Sequence, residues 1–344
     1  AMPPVAANGY PPVPPEKPAP PKPAPADQAV TPPTAPTTQQ ITTAPPSPPV
    51  PGPQVTTAPP LGVTNPVFQE NSPYGALPRI AADGRLPWIV NDARFDHRTR
   101  TPRISILLIG LGLDVKTTED AIVKLPPEVS LAFLPYTPNL DRWTKLARDF
   151  GHEVLLSLPL ESGDPATQQA LGPRMLGAQA TDAENLDRLR WVLSRASGYT
   201  GLVTWEGESF LANEKASLSV LQEISNRGLL LVDSRMAKPN TVQQLAGPIG
   251  LPFAKSRGFI DEPRDAAAID ANLATLEDLA KRNNFAMAMA VAFPISIERL
   301  VNWSRTVTQR GFVLAPVTGV TQCTGLCQTR VARHAAAVAA LPKP

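Results

Sequence analysis

Short apolar runs alternate with amphipathic stretches over most of the chain that follows residue 103. The first run, Ile104–Ile109, is apolar at five of its six positions, which predicts a strand buried on both faces. Gly110 and Gly112 then break the run. Similar runs predict further strands at Val129–Leu134, Glu153–Leu158, Gly201–Thr204, Leu229–Val232, Gly258–Ile260, Ala286–Val291 and Phe312–Ala315.

Helical periodicity fills the intervals between these runs. Thr181, with Glu184 three residues later, has the spelling of a capping box at one helix entry. Strands that alternate with helices predict an α/β fold with a parallel sheet of about seven to eight strands. We favour a distorted or incomplete (β/α) barrel over an open sheet, because one unit repeats along the chain. The predicted helices are Thr118–Lys124, Leu140–Phe150, Asp182–Ser197, Asn213–Arg227, Val242–Leu245, Asp265–Arg282 and Ser296–Arg310.

Composition divides the chain into four parts. More than half of the 42 prolines lie in residues 1–66, mixed with Ala, Thr, Val and Gln. Such a stretch cannot bury enough apolar surface to offset its ordering entropy, so we expect a disordered stalk. Residues 67–103 carry turn signals and the apolar stretch LPWIV, which predicts an ordered arm packed on the domain. Residues 104–320 form the (β/α) domain, and residues 321–344 form a C-terminal tail with a short helix.

The net charge of +2 is small and no basic run is present, which argues against nucleic-acid binding. No apolar stretch reaches 18 residues, so the sequence predicts no membrane span. The chain opens with Ala1-Met2-Pro3, and we expect a natural N-terminal signal or anchor ahead of it. A long proline-rich stalk before a globular domain then predicts a periplasmic protein tethered to the inner membrane.

The two cysteines, Cys323 and Cys327, lie close together near the C-terminus. In an oxidising compartment they can form a loop disulfide, and two free thiols in a mobile tail are the alternative. Two thiols without a nearby pair of histidines are a poor zinc site.

Taken in order, several motifs resemble the divergent polysaccharide deacetylases, a bacterial envelope family with a distorted (β/α) barrel. The stretch LAFLPY followed by GHEVLL is the most specific part of the resemblance. The complete set is ISILLIGLG, KLPPEVSLAFLPY (Lys124–Tyr136), ARDFGHEVLLSLPLE (Ala147–Glu161), GLVTWEGESF (Gly201–Phe210), RGLLLVDSRM (Arg227–Met236), RGFIDE (Arg257–Glu262) and FPISIERL (Phe293–Leu300).

The resemblance implies a chemistry whose key residues are missing here. Active members of such families remove an N-acetyl group from an amino sugar, with a divalent metal held by one Asp and two His. A second Asp, next to the first, acts as the base. In this chain the positions of the two Asp residues are occupied by Ile109 and Gly110. The first ligand His falls on Trp205 and the second falls near Val291. No metal site is therefore predicted, and we expect no cofactor.

Only three histidines are present, and none replaces the missing ligands. His97 lies in the arm and His334 in the C-terminal tail. His152 directly follows a predicted helix, at the end of the barrel opposite the catalytic face. We interpret it as a capping histidine, which the helix dipole favours.

A group of polar residues follows the predicted strands at the face where barrel enzymes build their sites. A solvated, internally paired rim is the structural explanation for them. The functional explanation is a remnant pocket that holds a sugar by hydrogen bonds, with the ring of a tryptophan as a stacking surface. A weak carboxylate site for a hard metal ion is a third option. The candidates are Asp114, Trp205, Glu206, Glu208, Asp233, Arg235 and Asp261.

Three functional hypotheses follow. The first is a catalytically silent deacetylase-like protein that binds peptidoglycan, another envelope glycan, or a cell-wall hydrolase or its regulator. The second is an active carbohydrate deacetylase or esterase with a rearranged carboxylate site, the only case in which zinc or another divalent metal is expected. The third is a structural spacer without a ligand, which a filled cleft would favour.

Overall fold

The computed structural model describes residues 65–93, 95–164, 168, 171–234 and 241–341. Nearly all of the predicted stalk, residues 1–64, lies outside the described residues. Ten strands are assigned within these ranges: β1 Gln69–Ser72, β2 Gly75–Pro78, β3 Arg103–Leu111, β4 Ser130–Phe133, β5 Val154–Pro159, β6 Gly201–Trp205, β7 Leu230–Asp233, β8 Phe253–Lys255, β9 Phe285–Val291 and β10 Val313–Leu314.

Helices follow the strands of the barrel in turn. Two 3-10 helices, Pro66–Phe68 and Val317–Val320, lie at either end of the described domain. The α-helices are α1 Pro87–Val90, α2 Val115–Lys124, α3 Leu140–Asp149, α4 Asp182–Leu193, α5 Glu208–Ala212, α6 Glu214–Asn226, α7 Thr241–Ile249, α8 Ala266–Asn283, α9 Pro294–Val307 and α10 Leu326–Ala339.

Eight strands form one parallel sheet that nearly closes into a barrel. The hydrogen-bonded order is β10-β3-β4-β5-β6-β7-β8, and β9 also pairs with β3. Each of these pairings is parallel. A single bridge between Phe259 and Met289 brings the segment after β8 against β9. This confirms the predicted parallel (β/α) barrel.

Alternation along β3 explains why its sequence is apolar at almost every position. Ile104, Ile106 and Leu108 join the large cluster between the sheet and the helices. Leu107 and Ile109 join the second cluster, which fills the inside of the barrel. A strand covered on both faces has no solvent side, so the polar positions of a half-exposed strand are missing.

One predicted strand was misplaced. The sequence favoured Gly258–Ile260, whereas the structure has β8 at Phe253–Lys255. Gly258 has a φ of 112°, a left-handed conformation that interrupts a strand, and Phe259 forms only the isolated bridge.

The arm and the C-terminal helix are held against the barrel by specific contacts. In the arm, β1 and β2 form an antiparallel hairpin. The backbone N–H of Leu86 donates to Nδ1 of the buried His334 on α10, at 2.9 Å. Cys323 and Cys327 are joined by a disulfide just before α10. None of the helices in the described ranges has the length and apolar character needed to cross a membrane.

Candidate functional site

The turn after β3 is too tight for most side chains. Gly110 and Gly112 have φ values of 81° and 107°. A Cβ atom at Gly112 would lie 2.0 Å from Oγ1 of Thr137. The glycines therefore form the turn, and the chain enters α2 directly after it.

Asp114 begins α2 and takes the role of a helix cap. Its Oδ1 accepts a hydrogen bond from the N–H of Thr117 at 2.7 Å, and its side chain is exposed. The hydrogen bonds from Thr117 hold the pKa of Asp114 below its ordinary value, although the small degree of burial opposes them. The sequence made Asp114 a candidate site residue, and in the structure its position is explained by its role as a helix cap.

The family resemblance places one of the paired Asp residues at Ile109 and the second ligand His near Val291, and these two residues are neighbours in the barrel. Ile109 on β3 is in register with Val291 on β9, and the N–H of Ala292 donates to the carbonyl of Ile109 at 2.9 Å. Ile109 and Val291 are 1% and 9% exposed, and both belong to the apolar cluster inside the barrel. An apolar contact therefore lies where the resemblance places one of the paired Asp residues and the second His.

The loop after β5 adds to this packing from the C-terminal end of the barrel. Leu171 is fully buried and belongs to the same interior cluster as Ile109 and Val291. Leu160 and Leu176 form a bridge that closes the base of this loop. The described part of the loop therefore contributes an apolar side chain to the inside of the barrel.

Asp261 is buried at the C-terminal edge and ties two elements together. Its Oδ2 accepts from the N–H of Val291 at 2.8 Å and from the hydroxyl of Ser296 at 2.7 Å. Its Oδ1 is buried and has no hydrogen-bond partner in the described part of the chain. Burial raises the pKa of Asp261, and the two hydrogen bonds oppose this shift. The carboxyl group joins β9 to the first turn of α9.

Asp233 ends β7 and is only 3% exposed. Its backbone carbonyl accepts from the N–H of Ser256 at 3.1 Å. The next residue, Ser234, links β7 to β6, because its N–H donates to Oγ1 of Thr204 at 3.0 Å. Asp233 and Asp261 are thus buried groups at the C-terminal edge, not members of a solvated rim.

The loop after β6 has an unusual backbone. Glu206 has a φ of 61°, in the left-handed region, and is half-buried. Gly207 follows with a φ of 102°, and Glu208 is exposed at the start of α5. Left-handed backbone costs a non-glycine residue about 1 kcal/mol or more, and such strain is concentrated at ligand sites.

Two candidates cannot be placed in full. Trp205 is the last residue of β6, which puts its backbone at the C-terminal edge. Arg235 lies outside the described residues. Within the described ranges, no three side chains of His, Cys, Asp or Glu come close enough together to hold a metal ion.

Two of the three histidines are buried, and all three have hydrogen-bond partners. The ring nitrogens of His152 lie 2.8 Å and 2.9 Å from the carbonyl oxygens of Val129 and Ile122. The contact with Ile122 is made in the last turn of α2, so His152 caps a neighbouring helix and not the helix before it. Nε2 of His97 lies 3.2 Å from Asp92. Nδ1 of His334 accepts the hydrogen bond from the Leu86 amide described above.

A buried polar cluster lies at the other end of the barrel. Glu153, the residue before β5, is fully buried, and its Oε2 accepts from the hydroxyl of Thr318 at 2.5 Å. The same hydroxyl contacts Oδ1 of Asp92 in the arm. Ser130 donates to Glu153 at 3.3 Å. Burial raises the pKa of Glu153 to about 8, the nearby Asp92 charge adds to the shift, and Thr318 opposes it.

This cluster was not predicted from the sequence. The one available signal was a glutamate, Glu153, directly before a continuous apolar run, where a buried charge needs partners. Its partners Asp92 and Thr318 are 61 and 165 positions away in sequence, and nothing in the local pattern connects them.

A nearly closed parallel barrel surrounded by helices defines the class as a (β/α)-barrel domain. The model of the divergent polysaccharide deacetylase family matches residues 106–321, and the chain belongs to this family. A solved structure, the uncharacterized protein ATU2773 from Agrobacterium tumefaciens C58, is 35% identical with a TM-score of 0.67, and the match covers 70% of this chain and 97% of that one.

Two curated relatives are more distant. The uncharacterized protein YibQ of Escherichia coli K12 is 24% identical over 182 residues, which are 53% of this chain and 56% of YibQ. An uncharacterized protein of Haemophilus influenzae Rd is 20% identical over 195 residues, 57% of this chain and 68% of the relative. The chain therefore spans little more than half of YibQ.

Proposed function

We propose that this protein is a catalytically silent member of the divergent polysaccharide deacetylase family that binds peptidoglycan or a related envelope glycan. The observation that supports this most directly is the buried contact between Ile109 and Val291. A metal-dependent deacetylase needs an anionic and an imidazole ligand at these positions, with room for water beside the metal. Two buried aliphatic side chains offer neither a ligand nor space.

The loop after β6 is the part of the C-terminal edge best suited to bind a glycan. Two of its polar residues are glutamates: Glu206 is half-buried and Glu208 is exposed. Carboxylates accept hydrogen bonds from sugar hydroxyls. The left-handed backbone of Glu206 is the kind of local strain that is retained where a ligand is held. A tryptophan at position 205 supplies the ring type on which pyranose faces stack.

We further propose that the protein is tethered to the inner membrane and acts in the periplasm. Its partners there would be the glycan, a cell-wall hydrolase or a regulator of such a hydrolase. A Pro-rich stalk of some sixty residues, extended at about 3.1 Å per residue, would reach roughly 200 Å. That reach would let a tethered barrel contact the wall.

The alternative, an active deacetylase or esterase, draws on the buried carboxyl groups of Asp233 and Asp261. The Oδ1 atom of Asp261 is buried without a hydrogen-bond partner among the described residues. An unpaired carboxyl oxygen of this kind can accept a proton or a substrate hydroxyl.

The two functions are separated by measuring acetate release and glycan binding on the same sample. The full chain is incubated with N-acetylated glycan oligomers and with peptidoglycan fragments, in the presence of zinc, cobalt or manganese. We expect no acetate and a measurable affinity for the fragments by calorimetric titration. Acetate release that Asp233→Asn abolishes would replace the proposal with the enzyme alternative.

The glycan surface is tested with paired tryptophan variants. Trp205→Ala should weaken fragment binding about fivefold or more, because loss of one stacking ring removes about 1–3 kcal/mol from the binding energy. Trp303→Ala removes a tryptophan from the outer helix α9, where its Nε1 donates to Glu277, and should leave binding unchanged. Equal affinities for Trp205→Ala and the unmodified chain would contradict a glycan site at β6.

A further inference from the structure

The cluster around Glu153 joins the arm to the barrel. Asp92 belongs to the arm, just after α1. Glu153 and Ser130 precede β5 and begin β4, and Thr318 lies in the 3-10 helix Val317–Val320 that follows β10. The hydroxyl of Thr318 contacts both Asp92 and Glu153, so two carboxyl groups from different parts of the chain meet at one side chain.

The number of protons at this contact is limited by chemistry. A threonine hydroxyl carries one proton and can donate to only one carboxylate oxygen. The second carboxyl group can approach the same oxygen only if it donates its own proton to a hydroxyl lone pair. The contacts of Thr318 with Asp92 and Glu153 are therefore both hydrogen bonds only when the two carboxyl groups hold one proton between them.

The positive charges around the pair cannot fully replace that proton. Arg148 on α3 is buried, and its Nη1 donates to the carbonyl of Asn91 at 2.7 Å. It attracts both Glu153 and Asp92, although burial lowers its pKa to about 10. His97 in the arm lies 3.2 Å from Asp92 and is half exposed, and Arg103 on β3 repels its positive charge.

The effects of rising pH on these groups act in the same direction. The hydrogen bond with Asp92 raises the pKa of His97, so its positive charge is lost above the ordinary histidine range. Burial raises the pKa of Glu153 to about 8, so Glu153 loses its proton around that pH. The arm's other titratable anchor, His334, has a pKa lowered by burial, so it changes charge only at more acid pH. From pH 6.5 upward the cluster at Thr318 alone is affected.

We propose that the protonated carboxyl group of Glu153, linked to Asp92 through Thr318, latches the arm to the base of the barrel, and that the arm loosens when Glu153 loses this proton. With both carboxyl groups ionised, two negative charges lie beside the Thr318 hydroxyl, which can donate its proton to only one of them. The amide of Thr318 and the hydroxyl of Ser130 also donate to Glu153, at 3.3 Å each, so Asp92 is the group left without the hydroxyl proton. Separating Asp92 from Glu153 relieves the repulsion and lets Glu153 ionise in water. The arm opens because Asp92 is carried on it, while Glu153 is fixed at the start of β5.

Hydrogen exchange of single amides on the full chain measures this opening. The N–H of Trp88 in the arm donates to the carbonyl of Gly228 at 3.0 Å and reports on docking. After correction for intrinsic exchange, its opening equilibrium should rise by up to about tenfold per pH unit between pH 6.5 and 8 and level off above pH 8. The amide of Leu202 in β6 serves as the internal reference and should show a smaller rise or none.

Three variants decide the origin of the effect. Glu153→Gln supplies a neutral partner for Thr318 and should remove the rise at Trp88. Asp92→Asn makes the same change from the arm side and keeps the test valid if Glu153→Gln does not fold. Glu277→Gln is the matched control, because Glu277 pairs with Arg310 away from the arm, and it should keep the full rise. A flat profile in the unmodified chain, or an undiminished rise in Asp92→Asn, would overturn the proposal.

Discussion

The two ends of the barrel differ in the side chains that they bury. At the C-terminal end, Ile109, Val291 and Leu171 pack in one apolar cluster. The family resemblance places one of the paired Asp residues at Ile109 and the second ligand His near Val291. At the N-terminal end, Glu153 is fully buried with Ser130, Thr318 and the arm as partners. Barrel enzymes place catalytic groups at the first end and stabilising ones at the second. Among the described residues, two carboxyl groups that meet at one side chain, Asp92 and Glu153 at Thr318, lie at the stabilising end.

The comparison teaches that burial of a carboxyl group does not by itself mark a catalytic site. Asp261 is buried at the C-terminal end, but its Oδ2 holds β9 and α9 together. Burial raises the pKa of Glu153 to about 8, yet Glu153 lies at the N-terminal end of the barrel, where barrel enzymes place stabilising groups. A perturbed pKa indicates a site only when the group also faces a place where a ligand fits.

The largest expected effect comes from restoring a carboxylate at the C-terminal end. Ile109→Asp places an unpaired charge in the apolar interior and should lower the free energy of unfolding by about 3–5 kcal/mol, measured by denaturant titration. Ile109→Val, which only removes a methylene group, should cost about 0.5–1.5 kcal/mol. Recovery of the lost stability on adding zinc would reveal a latent ligand set and erase the contrast between the two ends.

A smaller effect is expected from the N-terminal end. Thr318→Val keeps the shape of the side chain but removes the hydroxyl between Asp92 and Glu153, so the fully buried Glu153 and the partly buried Asp92 each lose a partner. We expect a loss of about 2–3 kcal/mol in the free energy of unfolding.

The matched control for this prediction is Thr321→Val. The hydroxyl of Thr321 donates to the carbonyl of Val317 at 2.9 Å, just after the same 3-10 helix. Its loss should cost about 1 kcal/mol or less. Equal losses for the two variants would show that the cluster contributes no more than an ordinary hydrogen bond.

The fold was largely predictable because its pattern is local. Strands such as Ile104–Ile109 are apolar throughout, and the capping box of Thr181 and Glu184 is present at the start of α4. β8 was misplaced because its three residues are too few to show a periodicity of their own. The loss of the family's metal ligands stays a prediction, which rests on the residues that the resemblance aligns at the ends of β3, β6 and β9.

The environment of each polar residue could not be predicted in the same way. Asp114 and Asp261 look alike in sequence, each just beyond an apolar run. One caps a helix in solvent and the other is buried against Ser296, a difference set by tertiary contacts. The Glu153 cluster depends on a partner 165 positions away, so no local pattern encodes it.

The smallest effect expected separates a helix cap from a ligand site at the C-terminal end. Asp114→Ala removes the hydrogen bond to the Thr117 amide and should cost about 1 kcal/mol at neutral pH. Asp265→Ala is the matched control, since Asp265 caps α8 through the Ala268 amide at 3.0 Å, and it should cost about the same.

The pH dependence of the Asp114 variant sharpens this test. Because the hydrogen bonds from Thr117 lower the pKa of Asp114, its contribution is complete above the ordinary aspartate range and is lost as pH falls through the lowered value. The stability difference between Asp114→Ala and the unmodified chain should therefore vanish in strong acid. If Asp114→Ala also weakened glycan binding while Asp265→Ala did not, Asp114 would belong to the glycan site, because a pure cap acts on folding and leaves the affinity of the folded protein unchanged.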